Sequence, residues 1–145
     1  MDFDRDKALD VLNQIVELEL AGAVRFTQYS LMVFGHARIP IMGWMREQAQ
    51  QSLAHAIQAG EEVTGLGGQV SLSIGELVGT YHASVDDMLQ EMLVQERHGI
   101  ALYRRLLEVA EGCEVSLEEL ARQMIRSEEL DVAEIEKMLR KRGDA

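Results

Sequence analysis

The sequence gives its 145-residue chain only three places to turn. Apolar residues recur at helical spacing from about Asp4 to Phe34, and Gly22 interrupts that run without ending it. An internal glycine costs a helix only about 1 kcal/mol. The first break is "GHARIP" (Gly35–Pro40). Pro40, the single proline, suits the first turn of the next helix, where its missing N–H would have no partner anyway. That second helix is expected to reach about Thr64 and to stop at "GLGG" (Gly65–Gly68), because glycine tolerates the left-handed conformation that closes a helix. Gln69–Ala83, "QVSLSIGELVGTYHA", is less periodic and reads as a long crossover with room for one helical turn. Ser84 with Asp87 three residues on resembles a capping box, opening a third helix to Ala110 that Gly112 ends. Ser116 with Glu119 is a fuller one, opening a fourth helix to about Lys141. Two short connections and one long middle one predict an all-α fold: an antiparallel four-helix bundle with a crossover between helices 2 and 3, which run parallel. Without a linker or low-complexity tract, residues 1–145 are expected to form one domain.

Composition narrows the partners. The chain is 47% apolar and 27% charged, as expected of a soluble globular domain. Its net charge of −11 argues against nucleic acid, whose binders need a cationic surface to displace counterions. The same charge disfavours an anionic membrane surface and leaves cations as partners. Cys113 is the single cysteine, so no disulfide framework or CxxC metal knuckle is available. "MDFDRDK" is acidic where a signal peptide would be basic, and no apolar run approaches membrane-spanning length. A reducing cytoplasm is the expected location.

A bundle of this kind buries one apolar stripe per helix, and here acids interrupt the stripes. Helix 1 offers Leu12, Ile15, Glu19, Gly22, Phe26 and Val33; helix 3 offers Val85, Met88, Met92, Glu96, Gly99, Tyr103 and Leu106. Helix 4 offers Leu117, Ala121, Met124, Glu128, Asp131, Ile135 and Met138. Helix 2 offers Met45, Ala49, Ser52, Ala56, Ala59 and Val63, with His55 at the edge of the stripe. Glu19, His55, Glu96 and Glu128 lie near the midpoints of their helices, which fall at one level in a bundle of similar helices. Four carboxylates (Glu19, Glu96, Glu128, Asp131) and one imidazole (His55) are therefore expected around one point in the core. Ionised carboxylates are not buried together unless cations accompany them or their pKa values rise. Two divalent ions would balance four carboxylates. The alternative for any one acid is to tilt into solvent or to pair with Arg25, a cation on helix 1. For His55 alone it is a hydrogen-bonded boundary residue.

Other features carry less. His36 and His82 fall in connections, and His98, two residues from Glu96, faces another way. Met88 and Met92 read as core packing. "GLGG" lacks the preceding strand of a phosphate loop. Glu118 and Glu119 suit the positive end of a helix dipole.

The arrangement resembles the ferritin-like superfamily, and bacterioferritins most closely. That family carries Glu on helix 1, Glu-x-x-His on helix 2, Glu on helix 3 and Glu-x-x-His on helix 4. The matching stretches are "ELAGAVRF" (Glu19–Phe26), "SLAHA" (Ser52–Ala56), "QERHG" (Gln95–Gly99) and "EELD" (Glu128–Asp131), and together they span nearly the whole chain. Two ligand positions depart. Ser52 stands where the family has a bridging Glu, and Asp131 stands where it has His. Gln48 and Gln51 offer helix 2 only neutral oxygen donors.

The resemblance implies an iron-binding protein whose dinuclear centre is modified. Glu19, His55, Glu96, Glu128 and Asp131 would be its ligands, with Glu128 best placed to bridge. Iron oxidation, storage or homeostasis would follow, by ferroxidase chemistry where the centre still supports it; another divalent metal is the alternative occupant. No haem is expected, because the helix 2 position corresponding to the family's haem-binding Met is Leu53. The chain stops at "RKRGDA" without the short fifth helix of 24-subunit shells, so the expected homo-oligomer is a dimer or a cage. The rival expectation is a non-catalytic bundle with a degenerate site, acting as a structural or partner subunit beside another ferritin subunit.

Overall fold

A computed structural model describes residues 2–77, 81 and 84–141. Among them the chain forms α1 (Arg5–Met32), α2 (Arg38–Gly65), α3 (Val85–Ala110) and α4 (Val115–Leu139), and no strand. His82 and the end of "RKRGDA", residues 142–145, lie outside the described residues.

Local chemistry explains most of the boundaries. The Asp4 carboxylate accepts a hydrogen bond from the Lys7 N–H at 3.1 Å, capping α1, and Asp6 adds negative charge at the same positive helix end. Ser84 caps α3 through a 3.2 Å bond from the Asp87 N–H. α2 ends where Gly67 takes a φ of +78° and the Gly68 N–H reaches back to the Val63 carbonyl at 2.9 Å. α4 departs from expectation: it begins at Val115, Glu114 holds the cap position, and no side chain caps it. Both the Cys113 and Glu114 N–H groups bond the Ala110 carbonyl, at 2.9 and 2.8 Å. This tight turn brings the chain into helical geometry before Ser116, whose hydroxyl is then already inside the helix.

The core consists of two apolar clusters. One gathers Leu12, Ile15, Ala59, Val63, Leu102, Leu106, Leu117 and Ala121 among others. The other gathers Phe26, Met45, Ala49, Met88, Met92 and Ile135 among others. Their order along the chain gives the topology. α1 and α4 run from the first cluster to the second, α2 and α3 from the second to the first. Helices 2 and 3 are thus parallel to each other and antiparallel to α1 and α4. α1 packs against α2 and α3, and α3 against α4. Met138, placed on the helix 4 stripe by its spacing, is exposed in the last turn of α4.

The described part of the crossover, residues 69–77, holds no helical turn and lies along α1. Asn13 donates to the Gln69 carbonyl at 3.0 Å and accepts from the Ser71 N–H at 2.8 Å. Glu17 accepts from the Ser71 hydroxyl at 2.7 Å, and its carbonyl from the Gly75 N–H at 2.8 Å. Two polar side chains on the outer face of α1 thereby fix the route. Among the described residues, no helix is long and apolar enough to cross a membrane.

Candidate metal centre

Between the two apolar clusters each helix carries polar side chains inward, and they meet at one level. Glu19, Ser52, His55, Glu96 and Glu128 are all buried, and Asp131 is half-buried. One donor atom from each of Glu19, His55 and Glu128 lies within 4.8 Å of the other two, and the same holds for Glu96, Glu128 and Asp131. Glu128 belongs to both groups. The five residues singled out in the sequence therefore share one cluster, with Glu128 at its centre.

Hydrogen bonds orient the first group. His55 Nδ1 lies 2.8 Å from Glu19 Oε2 and 3.7 Å from Glu128 Oε1, and the Tyr103 hydroxyl donates to Glu19 Oε2 at 3.2 Å. In the second group the Gln51 amide donates to Asp131 Oδ2 at 2.5 Å. Glu96 Oε2 is buried without a hydrogen-bond partner, a costly state for a charged oxygen. Gly99 makes room for the shared acid: a Cβ there would sit 3.3 Å from Glu128 Oε1.

The electrostatics follow from burial. Desolvation, helped by the Glu128 charge, pushes Glu19 up to about 7 against the pull of its His55 and Tyr103 hydrogen bonds. Burial raises Asp131 to about 6, with Gln51 holding it down and Glu128 pushing it up. Glu96 is raised well above the carboxylate range by burial, then by Glu128, Asp131 and Glu19. For His55, burial lowers the value, but the bonds and charges of Glu128 and Glu19 outweigh it and raise the imidazole to about 9. Protons thus do the work of cations in the metal-free cluster. Arg25, offered above as a neutralising charge, forms its ion pair with Glu91 and a hydrogen bond to Tyr29. The charges that shift the cluster's carboxyls are instead its own acids and His55.

Carboxylate oxygens and imidazole nitrogen are the donors of divalent first-row ions. Two such ions would balance the four acids, and the partnerless Glu96 oxygen is already desolvated for one of them. The donor set fits. Ser52 is buried on the same level and points at α1, where a Cβ on Gly22 would lie 3.1 Å from its Oγ. Gln48 is buried as well, whereas His36 and His98 are exposed and outside the cluster. One contributor, Tyr103, is not marked by the sequence, and a second, Gln51, is marked only as a neutral donor. Spacing makes Tyr103 a stripe residue, although a buried tyrosine needs a partner for its hydroxyl. Gln51 lies one residue before Ser52, which turns it toward α4, and only the packed geometry reveals its bond to Asp131.

A family model of the ferritin-like domain matches residues 9–143. The chain belongs to the ferritin-like family. Among solved structures, this ferritin-like chain is similar to a ferritin-like, diiron-carboxylate protein from Bacillus anthracis str. Ames. Their TM-score is 0.84 at 21% identity, over 97% of this chain and 100% of that one. It is also similar to a dodecameric thioferritin, a bacterioferritin-related protein from Bacteroides fragilis, with TM-score 0.85, 18% identity, and 94% and 86% covered. Rhodobacter capsulatus bacterioferritin, solved with a metal-free dinuclear site and haem iron, gives TM-score 0.81 at 19% identity, covering 96% and 86%. At these identities the likeness is one of fold. No curated protein sequence matches the chain.

Proposed function

We propose that this ferritin-like domain is a bacterioferritin-like iron-binding protein whose intra-bundle centre has altered ligands. The observation that carries the reading is the pair of donor groups joined at Glu128, buried between two apolar clusters. Glu19 and His55 would hold one ion, Glu96 and Asp131 a second, and Glu128 would bridge them. The similarity to a diiron-carboxylate protein supports iron as the metal. Two ferrous ions held there would each supply one electron, a two-electron reduction of dioxygen or peroxide in all. This chain's own contribution is to exclude bulk water, to bring the charge that offsets the ions, and to release protons from His55 and the raised carboxyls as they bind.

Ser52 sets the limit on that activity. A hydroxyl cannot replace a bridging carboxylate, so the two ions would be tied by Glu128 alone, and binding without rapid oxidation is the expected behaviour. Leu53 is half exposed on the outer side of α2 and offers no sulfur to haem, so the reading includes none. Val24 and Leu31 on α1, with Leu53 and Ile57 on α2, leave apolar surface in water, which supports a homo-oligomer.

The test is an anaerobic Fe(II) titration followed by O₂. Bound iron with slow oxidation and no transient diferric absorbance is expected of the wild type. Ser52→Glu with Asp131→His should bind iron more tightly and oxidise it faster. No gain over the parent would show that Ser52 and Asp131 do not stand at ligand positions.

A further inference from the structure

The two donor groups differ in chemistry. The first contains an imidazole nitrogen, from His55, beside the carboxylates of Glu19 and Glu128. The second contains oxygen alone: Glu96, Glu128 and Asp131. Gln51 adjoins it, its amide 2.5 Å from Asp131 Oδ2 and 3.4 Å from the Ser127 hydroxyl. The oxygen-only group also holds the buried, partnerless Glu96 Oε2. Imidazole favours ions such as Zn²⁺, whereas all-oxygen sites suit harder ions such as Mn²⁺.

Resting on the dinuclear reading above, we propose that the centre is built for two unlike ions. The Glu19–His55–Glu128 half takes a borderline divalent ion, and the Glu96–Glu128–Asp131 half takes a hard, oxygen-preferring one. Gln51 is a positioning residue for the second half. Its amide holds Asp131 across the α2–α4 gap, tying the orientation of a short carboxylate to a helix with which α4 makes few other approaches. Outer partners of this kind set metal affinity by orienting the ligand.

Metal-free protein loaded with one equivalent of Zn²⁺ and then titrated with Mn²⁺ tests this, with zinc release and the electron paramagnetic resonance of bound Mn²⁺ as readouts. One Mn²⁺ per chain should bind while the zinc stays. Gln51→Leu should weaken Mn²⁺ about tenfold or more and leave Zn²⁺ within about twofold. Asp131→Asn should do the same more severely, and His55→Ala should reverse the pattern. Circular dichroism verifies that each variant is folded. Release of zinc by Mn²⁺, or equal weakening of both ions by Gln51→Leu, would overturn the assignment of unlike halves while leaving a metal centre in place. Failure of the wild type to bind either ion would remove the dinuclear reading and this inference with it.

Discussion

His55 Nδ1 sits 2.8 Å from one carboxylate and 3.7 Å from another, and a proton on that nitrogen occupies the place a metal would take. Glu19 and Asp131, raised to about 7 and about 6, and Glu96, raised further by burial, bind protons for the same reason. Each group holds its proton more tightly folded than unfolded, as does His55 at about 9. The stability they confer is therefore complete below their unfolded values and is lost as pH rises through the folded ones. The melting temperature of the metal-free protein should fall between about pH 5 and pH 9 from this cluster, while metal affinity climbs over the same range. Glu96→Gln, which removes a buried charge without changing shape, should raise the metal-free melting temperature at pH 9. A lowered value there would mean that the Glu96 carboxylate is held by favourable contacts. All five cluster residues were legible in the sequence, because ligand types on apolar stripes at mid-helix contradict their surroundings. Tyr103 was not legible as a contributor, since a tyrosine in a core is ordinary in itself; Gln51 was legible as a neutral donor but not as the partner of Asp131. Arg25 was legible as a cation on helix 1 able to neutralise an acid but not as the partner of Glu91, because that pairing depends on how α1 and α3 meet.

Each helix reads as apolar, polar, apolar, and this division explains how the fold tolerates its centre. Burial in the two clusters supplies the stability, and the polar layer lies between them instead of within either. Leu12 belongs to one cluster and Met88 to the other. Leu12→Ala and Met88→Ala should each cost about 2–5 kcal/mol, and the double variant should cost their sum to within about 0.5 kcal/mol. Denaturant unfolding measures this, and strong coupling would show that the polar layer transmits packing between the clusters. At this scale the sequence was most informative. Three punctuated breaks located four helices, since Gly67, Gly112 and the Ser84 cap act locally. The start of α4 was missed because the bonds to the Ala110 carbonyl, not the Ser116 hydroxyl, set it. The crossover's path was also beyond reach, since Asn13 and Glu17 look like any polar residues on an outer face.

For the whole molecule, the bundle places a charged centre where no single helix could stabilise one. Four helices each bring part of the ligand set, and their packing keeps water from it. The four helices are of similar length, so their midpoints fall at one level and the ligand types they carry there meet. On the proposed reading, the exposed apolar residues of α1 and α2 are the surface on which copies of the bundle would pack. The bundle's central property on this account is a buried centre joined at Glu128. The most direct measurement is an anaerobic titration of metal-free protein with Fe(II), following bound iron and released protons together. The account predicts two Fe(II) per chain with proton release, and loss of most of that binding in a folded Glu128→Ala variant. No bound iron, or binding that survives Glu128→Ala unchanged, would contradict it.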